Sequence, residues 1–171
     1  MVVTTLASSS FPALALLLAS IVILLAAALH DIATRTVPNW MAGLLALLGV
    51  ASQLLHFPQY SGFLASLIVF LATAICWRRS WMGGGDVKLL AAASLVLPPG
   101  NVVMFVAAVA LSGAVLAVIY LGARRVIAAP SARRPQHFVA RALRAEQWRI
   151  HRAGPLPYAL AIAVGFLFIA L

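Results

Sequence analysis

Long apolar runs recur along almost the whole chain, and they decide what it can fold into. The chain has 171 residues, of which 64% are hydrophobic and 9% charged, and its mean hydropathy is +1.08. A soluble globular domain is excluded, because this composition would expose an almost wholly apolar surface to water. Since about 20 apolar residues cross a bilayer as a helix, we predict an all-α polytopic membrane protein, a bundle of six transmembrane helices forming one domain over 1–171. The predicted spans lie near 11–30, 40–57, 62–77, 83–98, 102–123 and 155–171.

The twelve Lys and Arg residues indicate how these spans are oriented. With six crossings all twelve fall on one side of the membrane. Arg35 lies in the first loop, three basic residues surround the third loop, and eight arginines lie in or beside the fifth, between Arg124 and Arg152. Loops rich in Lys and Arg stay in the cytoplasm. The prediction is therefore a multi-pass protein of the bacterial inner membrane with both termini periplasmic.

Two segments allow more than one interpretation. The span at 83–98 is short and ends at Pro98-Pro99-Gly100, which is also compatible with a re-entrant hairpin; without its crossing, however, the eight arginines would lie opposite the other basic residues. The connection 124–154 is predicted either as an amphipathic helix on anionic headgroups or as a solvated basic linker. Because the net charge of +9 is concentrated in loops, the expected partner is the lipid bilayer and not nucleic acid.

The chain contains only three acidic residues, Asp31, Asp86 and Glu146. Asp31 ends the first apolar run and Asp86 begins the fourth, so the predicted topology brings both carboxylates to the cytoplasmic boundary. A carboxylate at bilayer depth costs about 2.5–3.5 kcal/mol. Two aspartates at one depth can share a proton and activate water, as in aspartic proteases. Each residue alone is equally compatible with an ordinary helix cap, and their shared depth favours the catalytic interpretation.

The residues around the two aspartates form two short patterns. Gly83, Gly84 and Gly85 precede Asp86, and bare backbone of this kind lets an extended substrate strand approach, although a flexible hinge is the simpler alternative. Lys88 follows and either meets the substrate or reaches the headgroups. Pro38 and Asn39 lie at the start of the second span.

The single cysteine cannot build a disulfide or a thiolate metal site, and the histidines are scattered, so no metal is predicted.

Gly83-Gly84-Gly85-Asp86-Val87-Lys88 has the form of a GxGD signature, and Asp31 followed by Val37-Pro38-Asn39 has the form Asp-x5-(Ile/Val)-Pro-Asn. Together these patterns resemble those of the type IV prepilin peptidases, a family of membrane aspartyl proteases. The chain is most similar to the short, core-only branch that includes the enzymes of Flp or tight-adherence pili. The stretch from Gly154 to Ala163 also resembles the Pro-Tyr segment in the last span of that family.

This resemblance implies a catalytic pair formed by Asp31 and Asp86, without cofactor or metal. It also implies cleavage of prepilins or pseudopilins at the cytoplasmic face, as part of pilus assembly or protein secretion. Larger family members carry an extra cytoplasmic domain with Cys-x-x-Cys motifs that is linked to N-methylation, and this chain lacks it, so a peptidase without methyltransferase activity is expected. Two alternatives stay open at this point: a small proton-coupled transporter that uses the aspartates as a relay, and a catalytically idle scaffold. The sequence does not indicate an oligomeric state.

Overall fold

The structure is a computed structural model, and it describes residues 11–56, 60–126, 137, 141, 144–145, 147–149 and 156–170. These residues form helices and no strand. The helices are α1 (Phe11–Thr34), α2 (Asn39–His56), α3 (Ser61–Arg78), α4 (Gly84–Val96), α5 (Val102–Val126) and α6 (Tyr158–Ala170), and a 3₁₀ turn (Pro99–Asn101) precedes α5. The predicted all-α class is confirmed.

Four of these helices are long and apolar enough to cross a membrane: α1, α2, α3, and α5 together with its 3₁₀ turn. The helices α4 and α6 have 13 residues each, which corresponds to about 20 Å of rise. That is shorter than the roughly 30 Å hydrocarbon core. The six predicted segments all contain helices, but the count of six spans is not confirmed.

The two short helices are the most buried ones. In α4 every residue from Leu89 to Ser94 is buried, and α6 buries eight of its 13 residues, including Ile162 and Phe166, while Val164 and Phe168 leave one of its faces exposed. A helix that is apolar all round packs in the interior. Accordingly, α4 packs against α2 and α3, α6 packs against α1 and α5, and the two short helices contact each other. The four long helices therefore flank a pair of short inner helices, of which α6 keeps one face exposed.

Side chains of α2 satisfy the backbone at the end of α4. The Gln53 amide donates to the carbonyl oxygens of Leu95 at 2.7 Å and Leu97 at 3.1 Å, and the Ser52 hydroxyl donates to that of Val96 at 3.2 Å. The last carbonyls of a helix have no partner within the helix, and an unsatisfied one in an apolar interior is costly. These bonds allow α4 to end inside the protein.

The helix α3 ends in a Schellman motif formed without glycine. Ser80 adopts a left-handed conformation with φ 59°. Its N–H donates to the Trp77 carbonyl at 2.9 Å, and the Trp81 N–H donates to the Cys76 carbonyl at 3.0 Å. Glycine is the usual residue at this position because it has no Cβ to clash with the following carbonyl. The turn that leads into Gly83 thus holds a strained serine.

Ser80→Gly is expected to raise the free energy of unfolding by about 1 kcal/mol, because the left-handed conformation costs a residue with a Cβ roughly 1–2 kcal/mol. Thermal unfolding in detergent measures this change. The matched control is Ser112→Gly in the middle of α5, where glycine should lower stability by about 0.5 kcal/mol. Equal destabilisation by both substitutions would show that Ser80 is not strained.

Candidate active site

Asp31 lies in the last turn of α1 and is buried, with 6% of its surface exposed. The backbone N–H of Ala159, the second residue of α6, donates a hydrogen bond to Asp31 Oδ2 at 3.3 Å. The first N–H groups of a helix have no partner within it, and its N-terminus carries partial positive charge. The start of α6 therefore holds the Asp31 carboxylate in place.

Asp86 lies in the first turn of α4, three residues after the N-cap Gly83. Its carboxylate accepts a hydrogen bond from the backbone N–H of Gly83, which is the backward half of a capping box. A Cβ on Gly83 would lie 2.9 Å from Asp86 Oδ2. Since α4 begins at Gly84, Asp86 is not the N-cap residue itself but the third residue of the helix. The bare backbone of Gly83 makes room for the carboxylate.

The structure brings the two aspartates together. The two carboxylates lie close enough for the charge of Asp31 to be felt at Asp86, although 54 residues separate them along the chain. The segments around them also touch, because a Cβ built on Gly85 would lie 3.1 Å from the Val37 Cβ. Glycine at position 85 thus allows the start of α4 to pack against the segment between α1 and α2.

The remaining motif residues form a second link between these segments. The Lys88 ammonium donates a hydrogen bond to Asn39 Oδ1 at 2.9 Å, and the Pro38 carbonyl accepts one from the Met41 N–H at 3.1 Å in the first turn of α2. Lys88 is exposed. Side chains two residues apart on a helix do not face each other, so Lys88 points away from Asp86 and toward α2.

Tyr158 is a site residue that sequence analysis did not single out. It is the first residue of α6 and is half-buried, within electrostatic range of Asp86 and of Cys76. Its ring packs on α5, where a Cβ added to Gly113 would lie 3.1 Å from it. The resemblance of the Gly154–Ala163 stretch to a Pro-Tyr segment was the available signal, but it did not show that this segment reaches the aspartates.

Arg149 is a second residue that the sequence did not reveal. Its guanidinium donates to the carbonyl oxygens of Ile32 at 2.8 Å and Ala33 at 3.3 Å. These are terminal carbonyls of α1, where a cation also interacts favourably with the helix dipole. The basic connection 124–154 therefore contacts the end of α1 that carries Asp31. Most of that connection lies outside the described residues, so its predicted form stays a prediction.

The turn after α1 is closed by Arg35. This residue has a left-handed backbone with φ 58°, and its N–H donates to the Asp31 carbonyl at 2.8 Å. Its guanidinium donates to the Tyr120 hydroxyl at 3.3 Å and lies 6.0 Å from the centre of that ring. Arg35 thus ties the end of α1 to α5, in addition to its predicted role as a topogenic charge.

The arrangement consists of two neighbouring carboxylates, one buried and fixed by the start of α6, the other at the start of α4. Within the described part of the chain, no group of three or more His, Cys, Asp or Glu residues could hold a metal ion. Two carboxylates of this kind can act as general base and general acid on one water molecule. The geometry is therefore suited to hydrolysis of a peptide bond that reaches the end of the bundle.

Comparison with known protein families matches residues 17–118 to the model of the type IV leader peptidase family. The match covers more than half of the chain and includes both aspartates, while α6 lies beyond it. Searches of curated proteins and of solved structures found no match.

Proposed function

The chain belongs to the type IV leader peptidase family, and we propose that it is an intramembrane aspartyl endopeptidase. Its substrates are prepilins or pseudopilins, of the kind assembled into Flp or tight-adherence pili, and it removes their leader peptides at the cytoplasmic face. The observation that carries this proposal is the proximity of Asp31 and Asp86 at one end of the bundle. The family supports a leader peptidase role in general, and the paired carboxylates supply a chemistry for it.

In the proposed reaction one carboxylate accepts a proton from water while the other, protonated, donates a hydrogen bond to the carbonyl oxygen of the scissile peptide. The water oxygen bonds to the carbonyl carbon and forms a tetrahedral intermediate. The C–N bond then breaks and the leaving nitrogen takes a proton from the carboxyl group. Asp31 is fixed by the Ala159 N–H, and Asp86 by the Gly83 N–H. Both groups are therefore positioned before substrate binds, which lowers the cost of reaching the transition state.

Six crossings with both termini periplasmic remain the proposed topology in the bacterial inner membrane. The support is the distribution of basic residues: Arg35 follows α1, Arg78 ends α3, and Arg124 and Arg125 lie in the last turn of α5. These positions belong to the end of the bundle where Asp31 and Asp86 lie. By the positive-inside rule that end faces the cytoplasm.

The proposed activity does not include N-methylation. Larger family members pair that activity with a cytoplasmic Cys-x-x-Cys domain, and this sequence has a single cysteine, Cys76. Incubation of the purified chain with S-adenosylmethionine carrying a labelled methyl group should leave a freshly cleaved substrate unlabelled. Transfer of label to the new amino terminus would contradict this part of the proposal.

Co-expression with a tagged prepilin from the same genome tests the proposed activity. The expected result is a shorter substrate whose new amino terminus, read by N-terminal sequencing, lies just before its apolar helix. If none of the pilin-like proteins of that genome is shortened, the proposed function is wrong.

Arg149→Gln is expected to slow leader cleavage about 10-fold, because two charge-assisted hydrogen bonds to α1, worth about 1.5–3 kcal/mol each, become weaker and Asp31 is held less firmly. Arg141→Gln is the matched control, since Arg141 is exposed, and it should leave the rate unchanged. Arg149→Lys should restore part of the rate. Equal rates for both glutamine variants would show that Arg149 does not position the site.

A further inference from the structure

A groove open to the side of the bundle lies between α2 and α3, with α4 as its floor. Its volume is about 470 Å³. Among the described residues, α2 and α3 pack against α4 and far less against each other. We call this space the α2–α3 groove. At its floor Lys88 is exposed and Leu95 partly exposed, whereas Ala91 and Ala92 stay buried beneath the walls.

Each of the three helices lines the groove with one regular face. The wall from α2 includes Ala42, Gly43 and Ala46, and the floor from α4 includes Ala91, Ala92 and Leu95. With Asn39 and Lys88 at one end, both sets follow the spacing i, i+3, i+4 and i+7, which marks a single helix face. The groove therefore runs along the helix axes for about two turns, roughly 10 Å. An elongated apolar partner can lie in it lengthwise.

One end of the groove is polar and lies at the start of α4, at the depth of the candidate active site but on the opposite face of that helix from Asp86. The Lys88–Asn39 hydrogen bond lies at that end, and Lys88 is only about 3 Å of helix rise from the depth of Asp86, two residues earlier in α4. Further along, the lining is apolar, because the Ser66 hydroxyl is already bonded to the Ala91 carbonyl at 2.8 Å. A segment with the same polarity, polar at the cleaved end and apolar beyond it, would be complementary to the groove.

Gly43 is not explained by packing against the part of the chain that the structure describes. A Cβ at this position would meet nothing within 4 Å, although glycine inside a helix costs about 1 kcal/mol relative to alanine. Helices in a bilayer associate where small residues let their backbones approach closely. The missing side chain at position 43 is therefore suited to contact with a helix from outside the protein.

Two other lateral cavities lack the combination of an apolar lining with a polar end formed by motif residues. The cavity between α5 and α6 has about 390 Å³ and includes Val164, and the cavity between α3 and α5 has about 330 Å³ and includes Ala72. Neither has a charged side chain in its lining. Of these three, only the α2–α3 groove joins an apolar channel to motif residues, Asn39 and Lys88, at the depth of Asp86.

We infer that the α2–α3 groove receives the apolar helix that follows the leader peptide in the substrate, and that the segment with the scissile bond passes from its polar end around the start of α4, over Gly83–Gly85, to Asp86. This inference rests on the proposed function, and it assigns the place in the bundle through which substrate enters from the bilayer. Entry between α2 and α3 needs no separation of the inner helices α4 and α6, because the walls of the groove are already apart.

Cysteine cross-linking tests this assignment. Asp86→Asn and Cys76→Ser are combined so that substrate is not cut and no native thiol reacts. Gly43→Cys then reports on the groove, whereas Val164→Cys and Ala72→Cys report on the other two cavities. The substrate carries single cysteines along its apolar helix. Position 43 is expected to cross-link at least 5-fold more than either control, with helical periodicity in the substrate. Equal cross-linking at the three positions, or a preference for a control, would overturn the inference.

Gly43→Leu provides a second measurement in the otherwise native, cleaving protein. Filling the groove should raise KM for the full substrate about 10-fold with little change in kcat, whereas Ala72→Leu should change neither. An unchanged KM would mean that lipid, not substrate, occupies the groove, and would also overturn the inference. Failure of the proposed function appears differently, as absence of cleavage by the native chain.

Discussion

Asp86→Asn is expected to lower the rate of leader cleavage about 10³-fold or more, because an asparagine cannot exchange a proton with water or with the scissile peptide. The amide is nearly isosteric with the carboxylate, and its oxygen can still accept the hydrogen bond from the Gly83 N–H. The variant should therefore keep its fold. Cleavage of a purified leader-bearing substrate in detergent measures the rate, and thermal unfolding measures the stability.

Glu146→Gln is the matched control for this substitution, because Glu146 is the acidic residue of the chain outside the proposed pair. It makes the same chemical change and should leave cleavage at the native rate. A loss of similar size in this variant would point to an effect of net charge and not to the chemistry of the pair.

Gly165→Ala is expected to destabilise the protein by about 2 kcal/mol or more. A Cβ at this position of α6 would lie 2.7 Å from the Val109 backbone nitrogen and 2.9 Å from its Cα, and these atoms of α5 cannot move independently of their helix. Overpacking of an interior typically costs 1–3 kcal/mol. Because α6 also supplies the Ala159 N–H to Asp31, cleavage should fall together with the melting temperature.

Gly122→Ala makes the same change on α5, at a position where a Cβ would meet nothing within 4 Å. It should be neutral or stabilise the protein by up to about 1 kcal/mol through helix propensity. If the two alanine variants melt at the same temperature, the close approach of α5 and α6 at Gly165 does not exist in the protein.

Much of the helical framework was predictable from apolar run length alone. Predicted spans 40–57 and 62–77 agree with α2 and α3 to within about a residue at each end. The predicted first span ended at residue 30, where the apolar run ends. The helix itself continues to Thr34, because His30, Asp31 and Thr34 are polar but adopt the helical conformation. Polarity marks the membrane boundary better than it marks the end of the helix.

Hydropathy could not distinguish inner helices from outer ones. In a bilayer both lipid-facing and protein-facing surfaces are apolar, so α4 and α6 have no pattern that reveals their burial or their short length. One polar residue, Gln53, lies in an apolar run and could have indicated a buried contact. The structure shows that its amide is hydrogen-bonded to the end of α4.

The candidate site could be predicted in part because its two carboxylates are rare in this chain and share a depth. The groups that hold Asp31 and the end of α1 in place could not be predicted from the sequence. The Ala159 N–H is a backbone donor that no side-chain pattern identifies, and Arg149 is one of eight arginines in the segment from Arg124 to Arg152. These contacts join residues that are 116 or more positions apart in the sequence, so they depend on how the helices pack.

The catalytic pair of Asp31 and Asp86 is tested most directly by the residual cleavage rates of purified Asp31→Asn, Asp86→Asn and the double variant, all measured with one leader-bearing substrate. If the two carboxylates act as a unit, each single substitution removes the same step, and all three variants should show the same residual rate. Losses that multiply in the double variant, or a single variant that retains a substantial fraction of the native rate, would contradict an aspartyl dyad.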